Sequence, residues 1–221
     1  MSTISCSIVS SFAINSVYLI IRLLLLAPII LLVPEIAMCG ELPVKIQTPE
    51  RFTIRLPDGW IPMTQASINE QYMARKRLVP PGVIFRKPDY GFMSPESHEG
   101  ASIMITVWKT GRIEKDTLEK NYELLKAGAS QGVNDVASLA PLITDAAIHE
   151  NRYDPLHHII WIQTQMKVEG YGVIKMISGH KLTRDGFIAI CCGALEKEFD
   201  ILRRQYIEII IGLEVAPEID Y

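Results

Sequence analysis

The chain lacks a dominant charge: 22 Lys and Arg stand against 25 Asp and Glu, a formal net charge of -3 over 221 residues. That balance excludes the strong basic field of a typical nucleic-acid binder, and no nucleic-acid partner is expected. Cysteine is scarce, with four residues, too few for a disulfide scaffold. Neither a phosphate-cradling GxxxxGK[ST] loop nor a GxGxxG turn occurs, so no nucleotide cofactor is implied. Nor is the chain poor in apolar residues, which make up 48% of it; that excludes disorder.

Long hydrophobic runs are absent except at the amino terminus. The mean hydropathy of +0.18 owes much to residues 1–39, where Arg22 and Glu35 are the only charged side chains. Arg22 can close the n-region of a signal peptide, with Leu23 to Val33 as its apolar core and Ala37 and Cys39 at the -3 and -1 cleavage positions. Equally, Ala13 to Val33 is long enough to remain as a spanning helix. The thirteen Leu, Ile and Val residues from Val17 to Val33 gain about 0.3–0.6 kcal/mol each on insertion, more than the roughly 3 kcal/mol that Arg22 costs. Ile36-Ala37-Met38-Cys39-Gly40 further resembles a bacterial lipobox, with Cys39 as the lipidated residue and Met38 as a departure. Export, anchoring and lipidation all place the protein at the cell envelope, the periplasmic side being the expected one.

The remaining residues read as 40–50 linker, 51–214 folded domain and 215–221 tail. Phe52, Ile54 and Leu56 alternate with polar residues, as a half-buried strand requires. Pro57-Asp58-Gly59-Trp60 is a tight turn, with Trp60 plugging the core beside it. A short helix is expected over Ser67 to Leu78, a strand over Val83 to Arg86, a loop over Lys87 to Gly100 and a strand over Ala101 to Trp108. Asp116 and Glu119 have capping-box spacing for a helix carrying Leu118, Tyr122 and Leu125, which Gly128 would stop. Residues 131–150 stay ambiguous. Three strands then follow, His157 to Val168, Tyr171 to Leu182 and Phe187 to Ala194, the last two joined by the hairpin loop Thr183-Arg184-Asp185-Gly186, whose Asp-Gly pair carries turn chemistry. Cys191 and Cys192 should face opposite sides of their strand as small buried hydrophobes. A final helix presents Phe199, Leu202, Tyr206, Ile209 and Leu213 as one apolar stripe. Late strands joined by hairpins, with helices between groups of strands, give an α+β fold: an antiparallel β-sheet packed by helices.

This order of elements resembles the PsbP-like sandwich domains, which include DcrB-type bacterial lipoproteins. The likeness rests on Leu56-Pro57-Asp58-Gly59-Trp60, the strand ASIMITVW, the following helix, the late hairpins and the closing helix, and it spans most of residues 50–214. It implies an αβα sandwich and a binding or assembly role rather than catalysis. It carries no catalytic set onto positions of this chain.

Candidate functional residues are few. Tyr90, Phe92 and Met93 interrupt the otherwise polar 87–100 segment and are candidates for a partner-contact loop. His149, Asp154 and His157 could form a metal site, although no HExxH spacing accompanies them. His98 between Glu96 and Glu99 reads as solvated. Arg75-Lys76-Arg77 is the one basic cluster, a solvated helix face or a contact for anionic headgroups. The leading expectation is therefore a non-enzymatic envelope domain with a membrane contact through its amino terminus and a protein partner. The alternatives are a hydrolase or metal-dependent enzyme whose residues converge only in space, and a carrier of small apolar ligands using a cleft between sheet and helix.

Overall fold

The structure, a computed structural model, describes residues 44–76, 86–94, 100–114, 118, 121–123, 126–127, 130 and 142–221. The leader with Cys39, the strand expected at 83–85, His98, Arg77, the capping-box pair Asp116 and Glu119, and residues 131–141 lie outside them.

Ten strands are described: β1 (Val44–Gln47), β2 (Phe52–Leu56), β3 (Ile61–Pro62), β4 (Tyr90–Met93), β5 (Ser102–Trp108), β6 (Ile143–Asp154), β7 (Ile159–Val168), β8 (Gly172–Thr183), β9 (Gly186–Leu195) and β10 (Glu214–Val215). The helices α1 (Gln65–Lys76) and α2 (Glu196–Ile211) flank them. Seven strands build an antiparallel sheet in the order β3-β4-β5-β9-β8-β7-β6, and β1-β2-β10 build a second, smaller one. The α+β class and the antiparallel hairpins expected from the sequence are present.

The central strands are buried on both faces, so each alternate side chain enters a different core. Met104, Ile160, Met176, Leu182 and Cys191 belong to one core, which Leu118 and, from α1, Tyr72 also join. Ile103, Trp161, Ile177, Ile190 and Cys192 belong to the other, beneath α2 and the small sheet. The adjacent cysteines thus enter opposite cores as buried thiols outside any disulfide. Burial pushes the Cys192 thiol well above its ordinary pKa.

Of the stripe read from the sequence, Phe199 and Tyr206 have no exposed surface and Ile209 is nearly as deep, Leu202 is half-buried, and Leu213 is buried just past the helix end; Ile210 is buried beside them. Glu196 and Glu198 occupy its first turn, where negative charge suits the helix dipole. Lys175 of β8 grips Glu196 and Asp200, each at 3.0 Å. Trp60 is a core plug, packed edge-on to Tyr206 at 5.9 Å. The turn before it uses Gly59 at φ +86, with the Trp60 N–H donating to the Pro57 carbonyl.

Five expectations need correction. Residues 44–47 are a strand rather than linker, and the tail continues packing: β10 pairs β2, and Asp220 bridges Thr183. The 87–100 loop contains β4, paired along β5. Histidines 157 and 158 precede β7 in a turn rather than opening the strand. In the β8–β9 hairpin the two turn residues are Arg184 and Asp185, between the pair Thr183 and Gly186. Gly186 opens β9 at φ +148, where an added Cβ would meet the Trp108 carbonyl oxygen at 2.0 Å. The ambiguous 131–150 segment ends in β6, whose ladder to β7 shifts register past Thr144 and past His149.

Candidate functional site

The β6–β7 connection, Asp154-Pro155-Leu156-His157-His158, is a surface turn held by several polar contacts. Aspartate beside proline favours a turn: proline fixes its own φ, and the carboxylate can take N–H groups just downstream. Here Asp154 Oδ1 accepts from the Leu156 N–H at 3.0 Å and the His157 N–H at 3.2 Å. The other oxygen, Oδ2, accepts from His157 Nδ1 at 2.8 Å. From β8, Lys181 Nζ donates to the His157 carbonyl at 2.6 Å, and the Leu182 N–H donates to the His158 carbonyl at 2.9 Å.

His158 closes the turn at φ +52, a left-handed conformation uncommon for a side-chain-bearing residue. Its ring is held from two sides. Tyr153 lies 3.3 Å from Nδ1, and the Tyr221 ring is centred 5.1 Å away. At the apex Leu156 is 80% exposed.

The electrostatics fit this reading. Burial alone would raise the Asp154 pKa, but hydrogen bonds from the His157 ring and from the His157 and Leu156 amides outweigh it and hold it below the usual value. Burial lowers the Lys181 pKa, opposed by the carboxylates of Asp220 and Asp154. Along β6 the charges continue: Arg152 contacts Asp154 at 3.8 Å and pairs with Glu150, which Arg203 of α2 reaches at 3.9 Å.

Asp154 and His157 thus come together as a hydrogen-bonded pair. The carboxylate is committed to the turn, and Nδ1 is the donor nitrogen of His157. His149 sits exposed at the second register shift of β6. Among the described residues no group of three His, Cys, Asp or Glu side chains converges, so the proposed trio is not assembled. The pair also resembles the orienting half of a hydrolase triad. Yet no described serine, threonine or cysteine hydrogen-bonds His157.

Sequence reasoning passed over one motif, Gly128-Ala129-Ser130-Gln131-Gly132, which has Gly-x-Ser-x-Gly spacing. A nucleophile elbow needs a strand-to-helix turn. Ser130 is helical, and its hydroxyl donates to the Lys126 carbonyl at 3.1 Å.

The aromatic candidates divide. Phe92 is 2% exposed and belongs to the core under α2. Tyr90 is half-buried against Phe52, and its hydroxyl donates to Glu50. Burial raises its pKa, reinforced by Glu50. Met93 is partly covered at the end of β4. Of the basic cluster, Lys76 lies 5.7 Å over the Tyr72 ring. The seam between α2 and the sheet is filled: a Cβ added at Gly179 would stand 2.2 Å from Ile210 Cγ2. At that position there is no room for a further atom. Leu156 and Lys181 were missed by sequence reasoning. An aspartate and proline next to a leucine was a usable signal for the first; the second depends on β8 register.

No protein-family model matches the chain, and no curated protein matches it. Solved structures similar to it include a cyanobacterial PsbP (CyanoP) from Synechocystis sp. PCC 6803, at 14% identity and TM-score 0.47, covering 81% of this chain and 98% of that one. The Saccharomyces cerevisiae Ran-binding protein Mog1p is similar at 12% identity and TM-score 0.43, covering 81% and 96%. A Bacteroides thetaiotaomicron VPI-5482 protein is similar at 12% identity and TM-score 0.44; the chain spans 48% of its length. The first is a PsbP, the group that the order of elements resembles. These likenesses concern the path of the chain, and no activity or partner passes from them.

Proposed function

We propose that this is a non-enzymatic, envelope-associated binding or assembly domain, exported or membrane-anchored through residues 1–39, that meets a protein partner with its β6–β7 turn. The apolar leader supports the address. One observation supports the surface: Leu156 is almost fully exposed on a turn immobilised by Asp154, Lys181 and the left-handed His158.

A solitary exposed leucine calls for no explanation by itself. Ile201, 79% exposed on α2, is such a case. Leu156 differs because polar groups and an uncommon backbone conformation hold it in place. A preorganised apolar anchor loses little entropy when a partner covers it.

A photo-crosslinking amino acid at position 156, compared with one at 201 in native cells, tests this. Discrete protein adducts from 156 and few from 201 are expected; equal yields, or none, would overturn the reading. Mass spectrometry of the mature protein tests the address. A chain beginning at Gly40, a diacylated Cys39 or a membrane-embedded intact Met1 chain would each support an envelope location, and a soluble intact chain would oppose it.

A further inference from the structure

A second site, remote in sequence from the β6–β7 turn, lies between the β1–β2 turn and the carboxyl-terminal segment. There an open cleft of about 530 Å³ is lined by Gln47, Arg51, Thr53, Glu214, Pro217 and Glu218, among others. Its volume is within the range of small-molecule sites.

Arg51 is held rigidly at its border. The residue adopts φ +64, its N–H donates to the Thr48 carbonyl at 3.1 Å, and its carbonyl accepts from the Ala216 N–H at 2.9 Å. Uncommon backbone conformations persist only where surrounding structure imposes them. Thr48 supplies that restraint: its hydroxyl donates to the Phe52 carbonyl at 3.0 Å and accepts the Phe52 N–H at 3.3 Å.

The charges of the cleft are unevenly committed. Glu214 is engaged by Lys45 and Arg55. Glu50, beside Arg51 in the turn, accepts the Tyr90 hydroxyl. Among the described residues, Arg51 and Glu218 form no ion pair, either with each other or with another group. The cleft therefore holds one uncommitted cation and one uncommitted anion. Both line the same cleft, so a ligand that carries both charges can engage both.

We infer that the cleft binds a small zwitterion, its carboxylate or phosphate on Arg51 and its ammonium on Glu218. A guanidinium fork suits either anion. Gln47 and Thr53 provide further polar groups on the lining. Its lining shares no residue with the turn that carries Leu156.

Calorimetric titration of the full-length chain with glycylglycine, phosphoethanolamine, N-acetylglycine and glycinamide provides the test. At least one of the two zwitterions is expected to bind about tenfold or more tighter than either singly charged probe. Which zwitterion binds better identifies the anion. Arg51→Gly removes the guanidinium while remaining compatible with φ +64, so unfolding need not confuse the result. It and Glu218→Gln should each weaken zwitterion binding about fivefold or more. Absence of zwitterion binding, equal binding of N-acetylglycine, or an unchanged affinity in Arg51→Gly would overturn the inference.

Discussion

Gly179 and Lys181, two residues apart on β8, show two ways of fixing a structure. At Gly179 the strand gives up its side chain so that Ile210 of α2 can approach, and the seam is closed by apolar contact. At Lys181 a long side chain crosses to the His157 carbonyl and holds a turn whose apex is exposed. The first region conceals apolar surface; the second uses polar groups to display it. Stability should therefore be sensitive at the seam, and partner binding at the turn.

The largest effect is expected deep in the seam. Phe199→Ala should reduce unfolding free energy by about 3–5 kcal/mol in chemical denaturation; a loss below about 1 kcal/mol would break the distinction between the regions.

Between these two residues, His180 turns into the opposite core, within 3.4 Å of Ser178 and 5.5 Å of Phe187. Burial depresses its pKa to about 4. Below the ordinary histidine value of about 6.5 the unfolded chain binds a proton that the folded chain refuses, so its stability contribution is present above that pH and lost on acidification. The loss between pH 6.5 and 4 should be on the order of 3 kcal/mol. His180→Gln should flatten that part of a stability–pH curve; an unchanged slope would remove histidine from the account.

Gly179→Ala should cost about 1–3 kcal/mol through overpacking. Repeating it in an Ile210→Ala background should recover most of that cost, because the colliding methyl is gone. Additive losses in that cycle would place the origin elsewhere than in the close approach.

At the turn the effects are smaller. Asp154→Ala should destabilise by about 1–2 kcal/mol and lower adduct yield from position 156. The depressed Asp154 pKa also means that its stabilisation is present above about pH 3.9 and declines as pH falls through the folded value. Leu156→Asp should change stability by no more than about 0.5 kcal/mol while abolishing partner adducts placed at neighbouring Pro155. A large loss of stability there would make Leu156 structural after all.

Much of the seam was legible in the sequence. The apolar spacing of α2 gives its buried stripe, and the adjacent cysteines divide between the cores because strand side chains alternate. The small sheet was not legible. Its outer strands hold four and two residues, too few to display a period, and the Arg55–Glu214 contact joins positions 159 apart. Strand β4 was concealed by Gly91, which suggests a loop. Its actual role is room: an added Cβ would approach Met63 and Met104 sulfurs at 2.9 and 3.1 Å. At the turn, Asp154 and His157 stood out, but their roles did not. Only the register that sets Lys181 opposite Ile159 brings the amine to the turn.

The two register shifts of β6 also bear on how copies of this protein coexist. β6 ends the seven-stranded order, and a straight twelve-residue edge would be a template for pairing with another chain. Thr144 and His149 interrupt the regular ladder, and such bulges bend and twist an edge. A neighbour seeking a long strand meets two short ones, at 145–148 and 150–154, each with charged side chains. That interruption favours solubility at high local concentration, where a smooth edge would favour stacking.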